Sequence, residues 1–238
     1  MNVNDKTARI AGFLHLLMGP LGYFAMLYVP SKLMVPGDVA ATAHNILAHE
    51  TAFRLSSASA LLTQLVNIAV VLLLYRLLAQ VNKSLAVVMV IFSLLAVPMA
   101  MLNEVSRLAV LQLLGGADYL SHFSSAQLQA LAQLSLNLHA GGIAISTLFW
   151  GLWLFPMGYL VAKSGYLPKG IGYLLILGGL GYVIDAFAFL LAPDLGLTIS
   201  LYTFPGELAL PLWLLFKGIK VEAFETYRTA PRSVSQLA

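Results

Sequence analysis

Six long runs of apolar residues, separated by short polar segments, dominate the pattern of this chain. Each run is near the ~20 residues that an α-helix needs to cross the hydrocarbon core of a bilayer. The pattern therefore predicts an all-α integral membrane protein with six transmembrane helices, over residues 10–29, 55–75, 85–106, 140–162, 170–192 and 196–216.

The basic residues between these runs alternate between the two sides of the membrane. If the N-terminus is cytoplasmic, ten of the 13 Lys and Arg residues fall on inside segments, and only Lys32, Arg54 and Arg107 fall on the outer side. An excess of Lys and Arg in cytoplasmic segments is the usual signal of orientation. We therefore predict that both termini are inside. The first run is too long for a typical signal-peptide core and is interpreted as a retained helix.

The outer segments predict short interfacial helices. Asp38 follows a Pro-Gly turn and is a suitable N-cap for a helix that starts at Val39. We expect that helix to continue without a break into the second run near Arg54. Leucines at three-to-four spacing between Leu128 and Leu138 predict a short helix lying on the outer surface.

Composition limits what else the chain contains. With 60% hydrophobic and 10% charged residues, it has no room for a separate soluble domain. We predict one six-helix domain over residues 1–220 and a charged cytoplasmic tail over 221–238. The net charge of +3 lies at loop ends, where it meets anionic lipid, so membrane lipids are expected partners and nucleic acid is not. Zero cysteines exclude disulfides and thiolate chemistry.

Strongly polar residues within or beside the runs lie mostly towards the predicted outer side. An ionisable side chain at the centre of a membrane helix costs about 3 kcal/mol on insertion scales, so such residues usually face the bundle interior and serve a function. The distribution predicts an extracytoplasmic-facing polar pocket above an apolar inner half. Its candidate residues are Arg54, Asn67, Glu104, Arg107, His139, Asp185 and Glu207, with His49 and Glu50 just before the second run.

Local ion pairing offers a purely structural interpretation of the same residues. Glu50 and Arg54 are spaced i,i+4, and Glu104 and Arg107 are spaced i,i+3, so each pair can neutralise itself. Pairing of either arginine with Asp185 is an equal alternative. Buried pairs of this kind can serve only to fix which helices meet.

Two carboxylates favour a ligand-handling role instead. Asp185 and Glu207 have no basic residue nearby in their own helices. Pro205-Gly206 directly precedes Glu207 and is expected to break the helix and expose backbone carbonyls.

Metal or cofactor binding has weaker support. Histidine and carboxylate side chains suit zinc or a di-metal centre. However, the two histidines before the second run are five residues apart, about 140° around a continuous helix. No His-Glu-x-x-His motif is present. No cofactor is therefore predicted, and the weak metal candidates are His44, His49, His139, Asp185 and Glu207.

Other chemistries are less favoured still. Haem is disfavoured because His15 lies in the inner half and His139 at the outer mouth, and retinal because no lysine lies inside a run. A serine nucleophile near His49 and Asp185 stays open, but serine in a membrane helix mostly serves packing. The serines concerned are Ser56, Ser57 and Ser59.

Several segments resemble a bacterial membrane-protein family known as domain of unknown function 4386. The similar segments are Ala43-His44-Asn45-Ile46-Leu47 with His49-Glu50 and Arg54, Tyr75-Arg76-Leu77-Leu78 with Asn82-Lys83, Gly158-Tyr159-Leu160, Lys163 to Pro168, and Gly172 to Asp185. The resemblance covers nearly the whole chain and is most specific in the last of these segments. It implies a bacterial cytoplasmic-membrane protein with six helices, and it implies no activity.

Three hypotheses on function follow. The first is a bundle that binds or passes a small solute or lipid-derived molecule, with arginines meeting an anionic group and Asp185 or Glu207 a cation, proton or donor. The second is an intramembrane enzyme, a hydrolase or metal-dependent lipid-modifying protein, with one of those carboxylates as general base and His49 or His139 assisting. The third is a structural subunit of a membrane complex. The glycine pair Gly141-Gly142 would also suit contact between two copies in a homo-oligomer.

Overall fold

The computed structural model of the chain describes residues 3–229, and within that range every regular element is helical. Six helical segments are long and apolar enough to cross a membrane, which confirms the all-α membrane fold. These segments are Asn4–Leu33, Glu50–Leu78, Lys83–Leu114, Ser125–Lys163, Lys169–Leu191 and Ile199–Phe216. Arg232 and the other residues from 230 to 238 of the predicted tail lie outside the described residues.

Between residues 3 and 229, ten α-helices make up these segments and the shorter elements. They are α1 (Val3–Tyr23), α2 (Val29–Leu33), α3 (Val39–Ala48), α4 (Glu50–Leu78), α5 (Lys83–Leu114), α6 (Ser125–Leu152), α7 (Leu154–Lys163), α8 (Lys169–Leu191), α9 (Ile199–Phe216) and α10 (Val221–Thr229). A π-helical turn, Phe24–Tyr28, joins α1 to α2. Single 3₁₀ turns lie at Asp118–Leu120 and Pro193–Leu195.

The chain forms two compact units. Within the described residues, the larger unit comprises 3–17, 66–97 and 144–229, and so holds α7 to α10. The smaller unit comprises Met18–Leu65 and Pro98–Ile143, and so holds the π-helical turn, α2 and α3.

Helix α3 starts at Val39, as predicted, but it does not continue into the second span. The Asp38 carboxylate accepts a hydrogen bond from the Ala41 N–H at 2.8 Å, so the predicted N-cap is confirmed. The helix ends at Ala48, because His49 leaves the helical region with φ −125° and ψ 38°. The expectation of one unbroken helix was wrong, and no Gly or Pro near His49 marks the break.

The predicted surface helix between Leu128 and Leu138 is instead the start of a spanning helix. Helix α6 runs from Ser125 to Leu152 without interruption. Ser124 and Gln127 form a reciprocal capping box at its start, in which the Gln127 N–H donates to Ser124 Oγ and the Ser124 N–H donates to Gln127 Oε1. The prediction of a separate helix was wrong, because no residue after this cap stops the helix until Trp153.

Helix α9 also continues where a break was expected. Both Pro205 and Pro211 lie inside the continuous helix Ile199–Phe216. Proline removes one N–H donor, but membrane helices tolerate this loss when the neighbouring structure compensates. The predicted break before Glu207 was therefore wrong.

Glycines and an aromatic anchor pack the larger unit. A Cβ placed on Gly172 would meet the backbone N of Ala162 at 2.7 Å and would also meet the Gly158 carbonyl, so α7 and α8 approach at backbone distance. Helix α10 is held by Phe224, which is only 1% exposed and lies edge-on to the Tyr166 ring with centroids 5.2 Å apart. The first part of the predicted tail is thus a packed helix.

An apolar core fills the smaller unit and positions the polar residues described below. It joins side chains of α2 to α6 and includes Phe53, whose ring faces an arginine. The core residues are Val29, Leu33, Ile46, Phe53, Val110, Leu111, Ala132 and Leu136.

Candidate functional site

A buried arginine forms the centre of the candidate site in the smaller unit. Arg107 is 2% exposed and lies on α5, about 10 Å along the axis before the helix ends at Leu114. Its Nη1 donates to the Ala25 carbonyl at 3.4 Å, and its Nη2 donates to the Ser56 hydroxyl. The guanidinium carbon lies 4.6 Å from the centroid of the Phe53 ring, within the range of a cation–π interaction. One side chain therefore joins α5 to α4 and to the first span.

The π-helical turn in the first span explains why a backbone carbonyl is available to this arginine. In a π-helix the N–H of each residue bonds to the carbonyl five residues earlier, and the Val29 N–H accordingly donates to Phe24. The next carbonyl, that of Ala25, accepts from Arg107. Local distortion of the helix thus presents an acceptor to a buried charge.

Glu104 lies one turn before Arg107 on the same helix and is 5% exposed. Its Oε1 is 3.2 Å from His139 Nε2 on α6, and the His139 carbonyl accepts from the Asn103 side-chain amide at 2.8 Å. Its Oε2 lies 3.9 Å from Arg107 Nε, which is too far for a hydrogen bond. Neither of these two buried atoms has a hydrogen-bond partner among the residues that the structure describes.

The second predicted Glu–Arg pair is a local surface pair. Arg54 Nε lies 2.6 Å from Glu50 Oε1, four residues earlier on α4. The two side chains are 56% and 45% exposed. The neighbouring His49 ring Nδ1 lies 3.1 Å from the Asn45 carbonyl. These three candidate residues have local partners within the smaller unit.

Asp185 is bonded to backbone in the larger unit. Its two carboxylate oxygens accept hydrogen bonds from the Ile199 N–H at 2.6 Å and from the Ser200 N–H at 2.8 Å. These donors begin α9, whose own N-cap residue Thr198 supplies no side-chain bond. A carboxylate at a helix N-terminus satisfies exposed donors and is favoured by the helix dipole. Asp185 therefore caps α9 from α8.

The other two candidates of the larger unit also pair across neighbouring helices. Glu207 Oε2 on α9 accepts from the Tyr182 hydroxyl on α8 at 2.9 Å. The buried Asn67 amide on α4 donates to the Ser93 hydroxyl on α5 at 3.2 Å. Each bond connects two helices that pack together in lipid, a common use of polar residues there.

The metal candidates do not come together in the part of the chain that the structure describes. Between residues 3 and 229 no group of three or more His, Asp or Glu side chains is arranged to hold a metal ion. Ser56, one of the serines considered as a nucleophile, donates to the Phe53 carbonyl at 2.7 Å while accepting from Arg107.

Several residues of these groups were not predicted as site residues. They are Phe53, Asn103, Tyr182 and the backbone carbonyl of Ala25. A π-helical turn leaves no signature in the sequence, and an aromatic residue in an apolar run is ordinary. Asn103 directly precedes Glu104, and its polarity inside the third run was the one available signal. The hypothesis that all nine predicted residues form one pocket stays a prediction.

Comparison with known proteins gives the family. The family model described as "Domain of unknown function (DUF4386)" matches residues 10–218, which takes in most of all six long helices. The chain belongs to this family. The match excludes α10, so the DUF4386 region ends before the helix anchored by Phe224.

One curated relative of this DUF4386 protein is named "Uncharacterized protein" and comes from the archaeon Archaeoglobus fulgidus. The two are 42% identical over 74 residues, which is 31% of this chain and 44% of the relative. The chain thus matches less than half of that relative's length. No solved structure matches.

Proposed function

We propose that this DUF4386 protein binds a small solute or lipid-derived molecule within the membrane at the group formed by Glu104, Arg107 and His139. The observation that carries the proposal is the pair of unpartnered buried atoms, Glu104 Oε2 and Arg107 Nε. Buried polar atoms in native proteins almost always have hydrogen-bond partners. Two that face each other at 3.9 Å suit a bound group that bonds to both.

The surroundings of the group support binding over a purely structural role. A structural ion pair gains most when its atoms bond directly, since desolvation of both charges must be offset. Here two nitrogens of Arg107 donate to the Ala25 carbonyl and the Ser56 hydroxyl. Its Nε lies 3.9 Å from Glu104 Oε2, and the two atoms form no direct hydrogen bond. Ionisable residues in membrane helices commonly mark ligand sites.

We further propose a location and orientation for the site. The alternation of Lys and Arg supports an orientation with both termini on the cytoplasmic side of the membrane. In that orientation the Glu104 and Arg107 end of α5 is its extracytoplasmic end, so the ligand would reach the site from the outer side. Lipids are then the most abundant nearby source of ligands.

Mass analysis of the purified protein tests the proposal. Wild-type, Arg107→Gln and the matched surface variant Arg54→Gln are purified in the same mild detergent and compared by native mass spectrometry, with lipid and small-molecule extraction. We expect a co-purified species in wild type and Arg54→Gln that falls at least tenfold in Arg107→Gln. Far-UV circular dichroism checks that all three are equally helical. Equal occupancy in the three proteins would contradict the proposal.

A further inference from the structure

We infer that the group held between Glu104 and Arg107 is an uncharged hydroxyl, supplied either by a neutral lipid or solute or by a single water. This inference names the chemistry of the ligand in the proposed function, and only its lipid or solute source rests on that function. It uses only residues of the smaller unit, and it follows from the hydrogen-bonding character, spacing and charge of two side chains.

The bonding character of the two free atoms restricts the ligand first. An arginine Nε–H only donates, and a carboxylate oxygen only accepts. A group that satisfies both must accept one hydrogen bond and donate one. A fully ionised phosphate or carboxylate only accepts, and an ammonium only donates, so neither completes the bridge.

The spacing restricts it further. The two atoms are 3.9 Å apart, and hydrogen bonds to a hydroxyl oxygen are about 2.8 Å long. One oxygen atom placed off the line between them reaches both at that distance, as bridging waters do. A hydroxyl supplies the acceptor and the donor from a single atom, and it therefore fits this gap.

The opposite charges of Arg107 and Glu104 also favour a neutral ligand group. One guanidinium faces one carboxylate, and both side chains are at most 6% exposed. Bringing an anion to Arg107 would place it against Glu104, and bringing a cation to Glu104 would place it against Arg107. His139 holds the other oxygen of Glu104, which keeps Oε2 directed towards the arginine. A neutral group meets neither repulsion.

Three lipids with the same acyl chains test the inference. Dioleoylglycerol carries one hydroxyl and no charge, dioleoyl phosphatidate carries an anionic phosphate, and trioleoylglycerol has no hydroxyl. Each is titrated into delipidated wild-type protein, Glu104→Gln and the surface control Glu50→Gln, and binding is read by native mass spectrometry. We expect wild type and Glu50→Gln to bind dioleoylglycerol at least tenfold more tightly than the other two lipids.

The Glu104→Gln variant sharpens the test because it removes the carboxylate and leaves the arginine charge uncompensated. We expect its preference to move at least tenfold towards the phosphatidate. Circular dichroism shows whether the variant is folded. If the variant is not folded, the wild-type preference among the three lipids still tests whether the bound group is a neutral hydroxyl.

The remaining outcomes distinguish a lipid hydroxyl from a water, and they separate this inference from the proposed function. If none of the lipids binds, an experimental density map with one isolated peak within bonding distance of both atoms supports the inference with water as the source. In that case the proposed function fails while the inference stands. Wild-type preference for phosphatidate, lost in Arg107→Gln, would overturn the inference and leave the proposed function standing. No lipid binding and no density peak would overturn both.

Discussion

Two Glu–Arg pairs in the smaller unit have almost the same sequence spacing and opposite surroundings. Glu50 and Arg54 are in contact at 2.6 Å, with about half of each side chain exposed. Glu104 and Arg107 are 3.9 Å apart and almost completely buried. The shorter distance between Glu50 and Arg54 therefore does not identify the pair on which stability depends more. Burial decides how much stability is lost when one partner of an ion pair is removed.

The energetic reason is the difference in solvation. Exposed ion pairs contribute roughly 0–1 kcal/mol, because water screens the attraction and the side chains lose entropy. Removing one partner of a buried pair costs about 3–5 kcal/mol, because the remaining charge is left without compensation. Arg107 additionally bonds to the Ala25 carbonyl and the Ser56 hydroxyl, so its removal affects three helical segments.

The largest effect is expected for Arg107→Met. This change removes the cation that compensates Glu104 and leaves the Ser56 hydroxyl and Ala25 carbonyl without their donor. We expect a loss of about 3 kcal/mol or more in the free energy of unfolding. Unfolding in mixed micelles with increasing sodium dodecyl sulfate, followed by circular dichroism, measures it.

A double variant controls for this interpretation. In Glu104→Gln/Arg107→Met no uncompensated charge remains, so part of the lost stability should return. The stability lost in Glu104→Gln alone is measured as well. If the double variant is less stable than Arg107→Met by that full amount, the two side chains are not coupled.

An intermediate effect is expected for Asp185→Ala, which tests a carboxylate that has backbone partners only. The change removes the acceptors of the Ile199 and Ser200 N–H groups at the start of α9. Loss of such a cap costs about 1–2 kcal/mol. The same unfolding experiment measures it, with Asp194→Ala in the exposed 3₁₀ turn as the matched control. Equal stability of the two variants would show that Asp185 does not hold α9.

The smallest effect is expected for Arg54→Met. Its partner Glu50 stays hydrated when the arginine is removed, so the loss should be below about 1 kcal/mol. Any loss should shrink further at high salt, which screens exposed charges. A loss as large as that of Arg107→Met would remove the distinction between the two pairs.

The long helices and the Asp38 cap of α3 were predictable because their causes are local. Apolar run length identifies each span, and Asp38 after a Pro-Gly turn is recognisable as a cap within four residues. Two of the wrong predictions concern helix ends that are set by tertiary structure and not by local sequence. Helix α3 ends at His49 without a local breaker, and α9 passes through Pro205 where a break was expected.

The insertion cost of charged side chains drew attention to Glu104 and Arg107, which the structure buries, but it did not predict their bonding. The same reasoning could not distinguish Asp185, whose partners lie 14 and 15 residues further along the chain. Two carboxylates that look alike in the sequence therefore differ: one caps a helix, and the other has an oxygen with no hydrogen-bond partner among the described residues.

The π-helical turn at Phe24–Tyr28 changes how the first span should be projected. The one extra residue in this turn rotates everything that follows by about 100° relative to a regular helix. A single helical wheel drawn over residues 4–33 would misplace Val29 and Leu33, which are both buried, by about 100° relative to the residues before the turn. Scanning mutagenesis of this span should therefore be plotted on two wheels, with the phase reset at Ala25.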